Sequence, residues 1–86
     1  MWQVEIRNSA KSDLKKLKKS HLKESFIAIV KQLKKDPYKN NQGFEKLVPP
    51  VAKKYSRRLN IQHRVVYSID DKNKTVNIWS AWTHYE

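Results

Sequence analysis

Residues 55–67 read YSRRLNIQHRVVY. Tyr55 to Leu59 alternates aromatic, polar and aliphatic side chains, and His63 to Ile69 is β-branched and aromatic. Both patterns suit a pleated, half-buried surface, so the stretch predicts two strands joined by a tight polar turn over Asn60 to Gln62. Arg57, Arg58 and Arg64 fall within this hairpin and are three of the four arginines in the chain, while lysine is used fifteen times elsewhere. Arginine carries a rigid five-donor fork that matches phosphate oxygens, which a lysine ammonium does not.

Downstream, DDKNK at 70–74 has the length and composition of a hairpin turn. A strand from Thr75 to about Trp82 follows, with Val76, Ile78, Ser80 and Trp82 alternating against Asn77, Trp79 and Ala81, and it leads into Thr83-His84-Tyr85-Glu86. Upstream, a short strand is expected around Phe44 to Leu47, and Pro49-Pro50 bars a central strand beyond it. Tyr38 to Gly43 reads as polar loop.

The first half of the chain is helical apart from its start. Trp2, Val4 and Ile6 alternate with polar residues as in a half-buried strand. Asn8 and Ser9 are cap-type residues ahead of a helix reaching Lys19, with a thin apolar stripe of Ala10, Leu14 and Leu17. Ser20 can cap a second helix reaching about Lys35, whose stripe of Leu22, Phe26, Ile29, Val30 and Leu33 faces a core. Asp36-Pro37 ends it, because proline disfavours helix in the residue before it. The order is β-α-α-β-β-β: an α+β fold with an antiparallel sheet and a helical hairpin on one face. At 86 residues the chain is expected to form one domain, 1–86, with the second face of the sheet uncovered.

The formal net charge is +11, which favours a polyanionic partner, nucleic acid first and an acidic protein second. A basic sheet carrying aromatic rings can stack bases and track a backbone. With no cysteine, neither a disulfide framework nor a thiolate metal site is open to the chain. No apolar run approaches the roughly 20 residues of a membrane span, and MWQVEIRN is not a signal peptide, so the expected location is the cytoplasm. The single glycine, Gly43, leaves no glycine-rich phosphate cradle, and no cofactor is expected.

Three residues could do chemistry on RNA. Glu45 is the only acidic residue between Asp36 and Asp70, Arg64 lies in the hairpin, and His84 follows the last strand. Cleavage without a metal needs a base for the 2′-hydroxyl proton, a cation for the charged phosphorane and an acid for the departing 5′-oxygen. A carboxylate, a guanidinium and an imidazole, in that order, suit those tasks. His21 and His63 read as local surface and strand residues, and the histidines lack metal-ligand spacing, so no metal site is expected.

The run YSRRLNIQHRVVY, FEKL before it and the His84-Tyr85 pair together resemble the YoeB/Txe toxins of bacterial toxin–antitoxin modules, within the RelE/ParE superfamily. That resemblance implies a RelE-like microbial RNase fold and a ribosome-dependent endoribonuclease that cuts mRNA in the A site. It implies Glu45 as general base, Arg64 as phosphate-stabilising cation, His84 as general acid and Tyr85 as an aromatic that holds substrate. Arg58, with Arg57 beside it, would contact the RNA backbone. The expected products are a 2′,3′-cyclic phosphate and a 5′-hydroxyl. The expected partners are mRNA, the ribosome and a YefM/Axe-type antitoxin, and a homodimer is compatible with the family. Many members carry Glu-Pro-Leu-Lys where this chain has Glu45-Lys46-Leu47-Val48; Lys46, or Lys53 with Lys54, would then supply the missing cation. Glu86 adds negative charge beside His84, which should raise the pKa of its imidazole.

Two other readings share the composition. One is a gyrase-inhibiting member of the same superfamily, which would typically lack a complete acid–base set. The other is a plain basic RNA-binding module, which gives no reason for the His84-Tyr85 pair.

Overall fold

A computed structural model describes residues 1–47 and 53–83. Its elements are β1 (Gln3–Ile6), α1 (Asn8–Lys18), α2 (Lys23–Lys35), β2 (Glu45–Lys46), β3 (Lys54–Arg58), β4 (Arg64–Asp70) and β5 (Thr75–Thr83). The five strands form one sheet in the order β1-β5-β4-β3-β2. Three pairings are antiparallel, as expected, but β1 runs parallel to β5, with Ile6 opposite Ile78. The sheet is therefore mixed rather than wholly antiparallel. The reason is topological: the helices carry the chain from β1 at one edge to β2 at the other, and three successive antiparallel pairings then bring β5 back beside β1 in the same direction.

The helices bury one face of this sheet. Ala10 and Leu17 of α1 and Ile29 and Leu33 of α2 pack with Val65, Tyr67, Val76, Ile78 and Ala81, all nearly or fully buried. Each of the larger aliphatic side chains contributes about 1.5–3 kcal/mol by leaving water. Helix α2 ends where expected, with Asp36 in an extended conformation before buried Pro37. Helix α1 starts differently. Asn8 and Ser9 lie inside it, and neither caps its N-terminus. Ser9 Oγ instead donates to the Trp79 carbonyl at 2.6 Å.

That bond belongs to the least regular part of the sheet. The register between β4 and β5 shifts twice, between Arg64 and Val66 and again between Val66 and Tyr67. The simple alternation expected for the last strand therefore fails after Ile78. Ala81 turns inward and is fully buried, while Ser80 pairs with Val66 on the outer face. Beyond the end of β1 the free edge of β5 is bonded by α1: Ser9 donates to the Trp79 carbonyl, and Asp13 Oδ2 accepts from the Ala81 N–H at 3.1 Å. Two polar side chains one helical turn apart thus satisfy backbone groups that β1 is too short to reach.

The outer face is less bare than expected. Glu45 and Arg58 are exposed there, but Ser56 and Val66 are buried. Among the described residues no helix is long and apolar enough to cross a membrane.

Candidate active site

Cross-strand register places Glu45 opposite Ser56, and Ser56 opposite Val66. Strand alternation puts all three on the face away from the helices, together with Arg64. Arg64 Nη1 donates to Glu45 Oε2 at 2.9 Å and to Ser56 Oγ at 3.3 Å. The Glu45 side chain is 58% exposed and that of Arg64 is 21% exposed. An ion pair so open to water contributes at most about 1 kcal/mol to stability. Among the described residues, Arg64 Nε and Nη2 make no hydrogen bond, so most of the fork is free to meet an anion.

Glu45 reaches this place by a strained approach. Gln42 and Gly43 both have positive φ, at 53° and 68°. A Cβ on Gly43 would lie 2.8 Å from Arg58 Cγ, so the one glycine of the chain both permits the turn and admits the Arg58 stem. The Arg58 N–H donates to the Gln42 carbonyl at 2.8 Å, which fixes the loop against β3.

Arg57 departs from the expected substrate-binding role. It points into the helix-covered side of the sheet and is fully buried. Its Nε donates to Tyr67 Oη, its Nη1 to the Asn41 side chain and carbonyl, and its Nη2 to the carbonyls of Pro37 and Lys39. Among the described residues no carboxylate forms an ion pair with it. The cation is held by neutral oxygens and by the Phe44 ring, whose centre is 5.0 Å from its guanidinium carbon, and it shapes the loop that delivers Glu45. Burial pushes the pKa of the Tyr67 hydroxyl up to about 12, although Arg57 acts in the opposite direction. The signal for this inward role is strand alternation: Tyr55, Arg57 and Leu59 share a face, and Tyr55 pairs with buried Tyr67.

Of the other expected residues, Arg58 is exposed at the end of β3, paired with Arg64. Lys46 is exposed opposite Tyr55, so alternation sends it to the other side of β2 from Glu45. Lys53 is exposed with a φ of 48° just before β3. His84 and Tyr85 lie outside the described residues. Thr83, the residue before them, is the cross-strand partner of Arg64, so β5 runs to the Arg64 end of the outer face. Residues not foreseen are Ser9 and Asp13, which hold the irregular part of β5. His63 packs and hydrogen-bonds locally, as expected: its ring stacks on Trp82 at 4.1 Å, and its Nδ1 lies 2.9 Å from the Trp82 carbonyl. The described residues hold no group of three or more His, Cys, Asp or Glu side chains placed to bind a metal.

A family model described as the YoeB-like toxin of the bacterial type II toxin-antitoxin system matches residues 8–85. The chain belongs to that family. This YoeB-like toxin is similar in structure to the YoeB/ParE toxin from Agrobacterium tumefaciens, with TM-score 0.85 and 20% identity, covering 96% of this chain and 99% of that one. It is also similar to a chain of the YoeB-YefM complex from Staphylococcus aureus, with TM-score 0.79, 25% identity and 99% of each chain covered. A YoeB dimer from the same organism matches at TM-score 0.82 and 25% identity, over 98% of each chain. No curated protein matches the chain.

Proposed function

We propose that this YoeB-like toxin is a ribosome-dependent endoribonuclease that cuts mRNA in the A site by acid–base chemistry of its own side chains. The observation that carries the reading is the Glu45–Arg64 pair on the outer face of the sheet, with the end of β5 beside Arg64. A carboxylate 2.9 Å from a guanidinium that keeps donors to spare adds little stability but is well matched to a phosphodiester. RNA phosphate takes up the free donors of Arg64. Glu45 accepts the proton of the 2′-hydroxyl, whose oxygen bonds to the adjacent phosphorus. The 5′-oxygen leaves with the electron pair of the broken P–O bond and takes a proton from His84. The products are a 2′,3′-cyclic phosphate and a 5′-hydroxyl fragment. Placing the 2′-oxygen in line with the leaving oxygen falls to the ribosome, since orientation alone can supply several kcal/mol of the barrier.

By extension from the YoeB-YefM complex and the YoeB dimer of Staphylococcus aureus, this chain is neutralised by a YefM-type antitoxin and pairs with a second copy. Its site of action is the cytoplasm, where translating ribosomes are. Primer extension on an mRNA translated in a cell-free system, comparing wild type with His84→Ala and Glu45→Gln, tests the nuclease reading. Discrete cuts within translated codons that disappear in both variants are expected. Intact mRNA with the wild-type protein would sink it.

A further inference from the structure

On the same outer face, away from Glu45 and Arg64, stands Trp79. We infer that Trp79, flanked by Arg7 and Lys54, is a second subsite for single-stranded RNA, stacking a base while the two cations hold its phosphates. The inference rests on the nuclease reading only in taking RNA as the ligand already bound to this face.

Trp79 follows buried Ile78 and faces outward by ordinary alternation. The register shift keeps Ser80 outside the core as well, where it pairs with Val66 on the row that continues through Ser56 to Glu45. At the spacing of adjacent strands, that row puts Ser80, the neighbour of Trp79, roughly 14 Å from Glu45, a few nucleotides along an extended strand. Trp79 is held in place through its ring and through its backbone. Its Nε1 donates to Ser68 Oγ at 2.8 Å, and its backbone carbonyl accepts from Ser9 Oγ at 2.6 Å. A ring fixed in this way loses little freedom when a base stacks on it.

The two cations arrive from opposite sides. Arg7 follows β1 and Lys54 opens β3, the strands on either side of the β5–β4 pair. The Arg7 guanidinium carbon is 5.4 Å from the centre of the Trp79 ring, and Lys54 Nζ is 5.6 Å from it. A groove of about 430 Å³ opens beside the ring, lined by Ile6, Arg7, Asn8, Ser9 and Trp79. That is the size of a small-ligand cleft, and its lining among the described residues includes no carboxylate. Glu5, paired to Arg7 at 3.3 Å, offsets part of one charge. A flat ring between two cations complements a nucleotide, which presents a flat base and an anionic phosphate.

The test is equilibrium binding of a short, unstructured RNA fully 2′-O-methylated so that it cannot be cut, followed over a range of salt concentrations. Trp79→Ala should weaken binding about tenfold, the effect of removing one base stack. The Arg7→Gln/Lys54→Gln double variant should lower the log–log salt slope by about 1.4, about 0.7 for each phosphate no longer neutralised. Wild-type affinity in Trp79→Ala overturns the inference. If Trp79→Ala folds poorly, the double variant decides, and an unchanged slope overturns it. The two readings fail separately. Wild-type cutting of translated mRNA with unaltered oligonucleotide binding in both variants removes the subsite and leaves the nuclease. Absent cutting with weakened binding in Trp79→Ala keeps the subsite and removes the nuclease.

Discussion

Arg57 and Arg64 sit on adjacent strands of one hairpin and face opposite ways. Arg57 is buried, with each nitrogen of its guanidinium donating to a neutral oxygen. Arg64 is on the outer face, and among the described residues one of its nitrogens is engaged and the rest of its fork is open. The same side chain thus serves two ends. Where every nitrogen has an acceptor, a guanidinium organises a loop. Where most lack one and water can reach them, it waits for an anion. Counting arginines cannot separate the two roles; counting their occupied donors can.

Substitutions should pull the two apart. Glu45→Gln and Arg64→Ala should each cut cleavage of translated mRNA by about 10²-fold or more, the usual effect of removing a base or a charge stabiliser. Thermal melts of both should stay close to wild type, since the pair is largely open to water. A large fall in stability with intact cleavage would reverse the assignment. Arg57→Met should do the opposite, costing about 3 kcal/mol in chemical denaturation by removing the charged hydrogen bonds that tie Pro37, Lys39, Asn41 and Tyr67 together and leaving Asn41 Oδ1 without its donor. Arg57→Lys should recover little of it, because an ammonium cannot reproduce the fork.

Smaller effects test how the outer face is supported. Asp13→Ala leaves the Ala81 N–H without its acceptor and should cost about 1–2 kcal/mol in a denaturant titration. An unchanged midpoint would mean that water replaces the carboxylate. Gly43→Ala forces a Cβ into a left-handed turn and against Arg58, so a destabilisation of about 1 kcal/mol is expected together with reduced cleavage. The smallest effect concerns Asp70, whose carboxyl is held below its ordinary range by hydrogen bonds from the Asn73 side chain and backbone. A depressed folded pKa adds stability above the unfolded value, and that stability is lost as pH falls through the folded one. Asp70→Asn should therefore melt slightly lower than wild type at pH 7, with the gap closing as pH falls below about 4.

Much of this arrangement is legible in residue order. The hairpin at 55–67, the two apolar stripes and the stop at Asp36-Pro37 are local patterns, and the structure follows them. The isolation of Glu45 in a basic stretch singles it out, and Arg64 is its observed partner. What residue order hides depends on pairings distant in sequence. The parallel β1–β5 pair joins residues more than seventy positions apart, and nothing in QVEI specifies its partner. The irregular end of β5 depends on Ser9 and Asp13 reaching across from α1. Ser9 reads as a cap because its residue type favours caps. Arg57 reads as a substrate ligand because its neighbours in the motif outweigh the parity of its strand.

The parallel pairing of the first strand with the last also sets an order of events during synthesis. Until β5 has emerged, β1 has no strand to bond, and Ser9 and Asp13 have no backbone to satisfy. Helices can form early, since their contacts are local, but the sheet must wait for its most distant pairing. A nascent chain that lacks β5 therefore has Glu45 without the completed surface beside it, so the proposed site is assembled only when translation of the domain is nearly done.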